Sequence, residues 1–239
     1  MSTTLDTCII VEPREHDKLI PVINNVIENV PKDTLIQVYH GTRNKETLVK
    51  TYKHYLNEKV FLYDLKVDNL QIDEYSKLLT SVKFYNNVKG ENMLIFQTDS
   101  CINANNKDGY VPYLGYDYVG APFSHNDWIH VKNNPGNVGN GGFSLRRKSS
   151  CIKAIQTMNH LKHVGNGKGF NEDTFFINVP FFNYPKNAKS FSVEHCFHAN
   201  PYGLHSVWKY WHLWSHSQRQ LLCSNFKELK TIFDINNFG

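Results

Sequence analysis

Long apolar runs, regular cysteine spacing and a strong charge of one sign are all missing from this 239-residue sequence, and each absence excludes a class of protein. No stretch approaches the ~20 apolar residues of a membrane span. The N-terminus MSTTLDTCIIVEPREH has neither a basic leader nor an apolar core of signal length. Five cysteines, odd in number and irregularly spaced, and the lack of any N-x-[ST] sequon argue against a disulfide framework and a secretory route. Free thiols in a reducing cytoplasm are expected. The 26 Lys and Arg against 22 Asp and Glu leave a formal charge of only +4, and the bases are scattered, so nucleic acid is not an expected partner. Linkers, repeats and low-complexity tracts are also missing, and residues 1–239 are expected to form one domain of undetermined oligomeric state.

What is present is an alternation of short apolar strands and amphipathic helices. Cys8–Val11, Thr34–His40 and Lys59–Leu65 read as strands, separated by KLIPVINNVIENV, with Pro21 in its first turn, and by NKETLVKTYKHYLN. MLIFQTDS, Met93 to Ser100, is uncharged until Asp99 and reads as a buried central strand. This order predicts an α/β fold with a mostly parallel central sheet flanked by helices. Ligands of such sheets sit at the carboxyl ends of strands, so Asp99 either faces a crevice or ends its strand by bonding its own backbone.

Two further motifs carry chemistry. In VGNGGFSLRR, Val138 to Arg147, the glycines permit close backbone approach to ligand oxygens. The following SLRRKSSCIKAIQTM predicts a helix, capped by Ser144 or Ser149, whose N-terminal end favours an anion. The alternative is a tight turn that binds nothing. In NEDTFF, Asn171 to Phe176, Glu172 and Asp173 precede an apolar run, either complementing a helix dipole or serving as catalytic carboxylates. Trp128 lies in a polar, aromatic loop, where it either stacks on a sugar ring or tucks inward. Trp208, Trp211 and Trp214 recur every three residues, a spacing that predicts a terminal helix packed on the sheet.

The succession FQTDS, GNGGFSLRR, NEDTFF, FSVEHCF and GLHSVW resembles the GT-A glycosyltransferases. Within them it is similar to a glycosyltransferase-like family of little-characterised domains found in bacteria, eukaryotes and large viruses, and more distantly to the β-1,4-galactosyltransferases. The resemblance runs from about Cys8 to Trp211. It implies a single GT-A (Rossmann-like) domain in which residues 1–100 bind nucleotide, 101–215 carry the acceptor and catalytic groups, and 216–239 form a helical tail. It further implies an inverting, divalent-metal-assisted transferase of hexosyltransferase type. The donor would be a nucleotide sugar, a UDP-sugar, and the acceptor a hydroxyl on a glycan or glycoprotein.

Residue by residue, the resemblance matches Asp99, with Thr98 beside it, to the D-x-D motif, and Asp99 and His205 to ligands of Mn²⁺ or Mg²⁺. It makes Asp173 the catalytic base and Glu172 its support or an acceptor contact. Gly141, Gly142 and Phe143 would form the loop between donor and acceptor. Glu12, Arg14 and Gly41 to Arg43 would line the uridine pocket, with Arg14 reaching the diphosphate. The chemistry suits these types: a metal neutralises the departing diphosphate as a Lewis acid, and a carboxylate accepts the acceptor's proton. One departure matters. Thr98-Asp99-Ser100 has one carboxylate where the motif usually has two, which keeps open an inactive GT-A-like nucleotide- or carbohydrate-binding module. The wealth of Asn, Lys, Ile and Tyr fits an AT-rich genome such as that of a large DNA virus, placing the protein in host cytoplasm or virion.

Overall fold

The computed structural model describes residues 4–123, 134, 136–158, 171–226 and 228–229. Trp128 and the GNGKGF stretch at 165–170 lie outside the described residues. The first half follows the predicted alternation. β1 (Thr7–Glu12), α1 (Leu19–Asn29), β2 (Leu35–His40), α2 (Lys45–Thr51), β3 (Val60–Asp64), α3 (Ile72–Leu79) and α4 (Val82–Asn86) lead to β4 (Asn92–Phe96). β1 pairs in parallel with both β2 and β4, and β2 with β3. All residues of β1 and β4 are buried, as expected of strands covered on both faces. Each fully buried aliphatic side chain there contributes about 1.5–3 kcal/mol.

After β4 the architecture departs from the expected pattern. β5 (Ser100–Ile102) leaves for a second sheet, whereas β6 (Tyr118–Gly120) and β7 (Phe143–Arg147) complete the first in the order β3-β2-β1-β4-β7-β6. β7 runs antiparallel to β4 and β6 antiparallel to β7. α5 (Lys148–Thr157) and α6 (Glu172–Ile177) follow, then β8 (Ser192–Val193) and β9 (Gly203–His205), which join β5 in a small sheet ordered β5-β9-β8.

The helix expected from Ser144 onward is therefore half strand. Ser144 to Arg147 pair across β4, and the helix begins only at Lys148. Helical periodicity was legible in α5 alone, because the polar residues Ser144 and Arg146 are buried by pairing rather than exposed on a helix face. Neither serine caps the helix: the capping position is Arg147, without a side-chain cap. The register Asn92↔Arg147 also sets the start of α5 beside the start of β4, the opposite end from Asp99, so that helix end offers no anion site in the crevice.

The tryptophan repeat differs too. Val207–Leu213 is a 3-10 segment, not an α-helix, with α7 (His216–Asn225) after it. Trp214 is buried, and Trp208 and Trp211 pack against a second core of Cys101, Val193, Leu204, Val207, Leu222 and Phe226 on the small sheet. Among the described residues no helix is long and apolar enough to cross a membrane.

Candidate active site

A cleft of about 630 Å³ opens past the carboxyl ends of β1 and β4, with Glu12, Arg14, Thr98, Asp99, Glu172 and Asp173 all in its wall. Local backbone geometry delivers Asp99. Ser100 N–H donates to the Gln97 carbonyl at 3.1 Å, and the Ser100 hydroxyl accepts from Gln97 N–H at 3.2 Å, closing a tight turn. The turn redirects the chain into β5, where Ser100 pairs opposite His205 of β9. That antiparallel register brings together residues over a hundred positions apart.

Asp99 accepts hydrogen bonds from Ser206, at its carbonyl from the backbone N–H at 2.9 Å and at Oδ2 from the hydroxyl. Ser206 holds a left-handed φ of 48° to do so. His205 Nε2 lies 3.2 Å from Asp99 Oδ1 and 3.2 Å from Gln97 Oε1, while its Nδ1 lies 3.5 Å from Glu194 Oε1. Burial opposes charge on this imidazole, but Asp99 and Glu194 outweigh it and hold His205 up at about 10. Burial likewise works against the Asp99 anion, yet His205 and the Ser206 hydroxyl hold it well below the usual carboxylate range.

The two expected metal ligands are thus turned toward one another. Glu194 Oε2 is buried without a hydrogen-bond partner, whereas Asp99 Oδ1 and both ring nitrogens of His205 each face a protein group. A divalent cation held by Asp99 and His205 would therefore displace a proton from the imidazole. Among the described residues no cluster of three or more His, Cys, Asp or Glu side chains is arranged to hold a metal alone.

Glu172 and Asp173, adjacent at the start of α6, have separate surroundings. Glu172 Oε1 accepts from the fully buried Arg146 at 3.0 Å. Arg146 also donates to Ser144 Oγ at 2.9 Å and to the Gly141 carbonyl at 3.2 Å, and its guanidinium lies against the rings of Tyr118 and Phe176 at 5.2 and 5.1 Å. Asp173 is partly exposed in the cleft, its Oδ1 accepting from Thr174 N–H at 2.6 Å. Burial and the neighbouring Glu172 charge push Asp173 up, to about 7, against Thr174 and Arg146.

The glycine turn packs closely against two site side chains. A Cβ on Gly141 would stand 2.4 Å from Glu172 Oε1, and one on Gly142 only 2.1 Å from His205 Nε2. These glycines let Glu172 and His205 press against the backbone. Phe143 is not in the loop: it opens β7, buried against Phe191 and Tyr202.

On the other wall, buried Glu12 accepts from Arg14 three times, from N–H at 2.9 Å, Nε at 2.8 Å and Nη2 at 2.7 Å. Gly41 packs under Pro13 and Val67, and Arg43 pairs with Asp68 at 3.0 Å. Gly41 to Arg43 do not line the cleft; Leu70, Ile72 and Tyr75 do. Arg146, Glu194 and Gln97 were absent from the expected set. A strand reading of FSLRR, with Ser144 and Arg146 alternating with Phe143 and Leu145, would have flagged the first. Glu194, ending the apolar run FSVE, was the visible signal for the second.

Residues 63–205 match the family described as protein of unknown function (DUF5672). No curated protein matches the sequence. Among solved structures, the apo-form glycosyltransferase GlyE of Streptococcus pneumoniae TIGR4 superposes with a TM-score of 0.55 at 12% identity, over 96% of this chain and 64% of that one. S. aureus TarS 1-349 gives 0.47 at 12% identity over 72% and 54%. Mannosyltransferase PcManGT from Pyrobaculum calidifontis, in complex with GDP-Man and Mn2+, gives 0.47 at 13% over 72% and 50%. The chain thus spans less than two thirds of the length of each. The α/β fold, with its mostly parallel six-stranded sheet, is shared with GlyE. With the family match covering more than half of the sequence, the chain belongs to the DUF5672 family.

Proposed function

We propose that the cleft transfers a sugar from a nucleoside-diphosphate donor, a UDP-sugar, to a hydroxyl of a glycan or glycoprotein, with inversion. The observation that carries this reading is the division of labour between Glu172 and Asp173. One carboxylate is committed to Arg146, and the other faces the cleft with its titration moved toward neutrality. A carboxyl group in that range suits a general base, whose efficiency is greatest near the working pH. The fold shared with the glycosyltransferase GlyE supports this reading.

In the step, the acceptor oxygen attacks the anomeric carbon as its proton passes to an Asp173 oxygen. The bond from that carbon to the diphosphate oxygen breaks with its electron pair, so the nucleoside diphosphate leaves. Arg146 and Glu172 hold the start of α6, and with it Asp173, against β7. Glu12 orients Arg14 toward the donor side through three hydrogen bonds, and Leu70, Ile72 and Tyr75 offer an apolar wall for the nucleoside. A divalent cation, Mn²⁺ or Mg²⁺, held by Asp99 and His205 would neutralise the leaving group as a Lewis acid.

A second reading, an inactive binding module, is favoured by one observation: Gln97, two residues before Asp99, is neutral and is engaged by His205 and by Tyr75 Oη at 3.0 Å. A thermal-shift and calorimetry panel of UDP, GDP, CMP and UDP-sugars with Mn²⁺, Mg²⁺ or EDTA tests both, because a ligand of the native state alone raises stability. Stabilisation by UDP-sugars with product release supports transfer. Binding without turnover toward any acceptor supports the module, and no nucleotide binding refutes the donor assignment.

A further inference from the structure

In the cleft wall Glu12 is paired with Arg14 and Glu172 with Arg146. Two cations in the wall remain. Lys18, just before α1, and Lys209, in the 3-10 segment after β9, make no ion pair among the described residues. They come from separate elements, yet both lie within electrostatic reach of Asp99. Lys18 Nζ stands 5.5 Å from the centre of the Trp208 ring, and Lys18, Trp208 and Lys209 all line the same cleft.

We infer that Lys18 and Lys209 form a diphosphate clamp that binds the donor's phosphates whether or not a divalent cation is present. Two compact ammonium groups facing a cavity of this size match the roughly two charges of a diphosphate, and each supplies donors without needing a fixed fork. The clamp deepens the donor assignment above and rests on it only for the nucleoside, since the diphosphate is recognised by charge.

The test uses inorganic pyrophosphate, UDP and UDP-sugars, titrated calorimetrically into wild type, Lys18→Gln, Lys209→Gln and the double variant in EDTA, with melting curves to verify folding. The expected result is metal-free pyrophosphate binding that weakens about tenfold with each substitution, in line with loss of a charged hydrogen bond, and that weakens with added salt. Equal pyrophosphate affinity in wild type and the folded double variant, or wild-type binding only after metal is added, would overturn the clamp. Lysine-dependent pyrophosphate binding that no nucleotide sugar displaces would support the clamp and refute the donor assignment. UDP-sugar binding unchanged by either substitution would do the reverse.

Discussion

The inner and outer ends of the cleft are built by opposite means. Inside, Arg146, Glu172, Glu194 and His205 are buried and held to one another from β7, α6, the end of β8 and β9. At the mouth, Arg14 and Lys209 are exposed and Lys18 is only partly covered. Charges buried in low dielectric must be paired to be tolerated, which fixes geometry, whereas exposed ones remain available to a ligand. The inner end holds Asp99 and the start of α6, and the outer end leaves Lys18 and Lys209 accessible in the cleft wall.

Substitutions at the two ends should therefore differ sharply in stability. Glu172→Gln leaves the Arg146 guanidinium buried without its counter-ion and is expected to cost about 3–5 kcal/mol in denaturant unfolding. A loss below 1 kcal/mol would show that the pair does not anchor α6. Gly142→Ala drives a Cβ into the His205 ring and should cost about 1–3 kcal/mol, the usual range for overpacking. By contrast, Lys209→Gln at the mouth should change stability by no more than about 0.5 kcal/mol.

A finer distinction comes from pH. A carboxyl raised in the folded state binds its proton more tightly there than in the unfolded chain. Its stabilising effect is thus full below the unfolded value near 4 and is lost as pH rises through about 7. Asp173→Asn, which cannot ionise, should accordingly melt higher than wild type at pH 8 and show little difference at pH 4. The same logic for His205, raised to about 10, places loss of its ion-pair stabilisation on the alkaline side, as pH climbs from its unfolded value through 10. Equal melting of Asp173→Asn and wild type at both pH values would remove the perturbed carboxyl from the account.

Much of the first half was legible in the residues, because parallel strands buried on both faces read as uninterrupted apolar runs such as CIIV and MLIF. Asp99 was legible as the first charge after such a run. The pairing of β5 with β9 was not, since Ser100–Ile102 and Gly203–His205 are three residues each and their partnership spans over a hundred positions. The strand character of Phe143–Arg147 was hidden by its buried arginine, whose tolerance depends on Glu172, Tyr118 and Phe176, all distant in sequence. Glu172 and Asp173 could be named as a pair, but their roles separate only through that same arginine.

Asp173 as the general base is tested by comparing wild type with Asp173→Asn for release of UDP from a panel of UDP-sugars, with donor affinity measured alongside. Turnover should fall by about 10²–10⁴-fold while donor affinity stays within a few-fold, as for a positioned base that is removed without disturbing the site. Undiminished UDP release by the folded variant would contradict the assignment of Asp173 as the base.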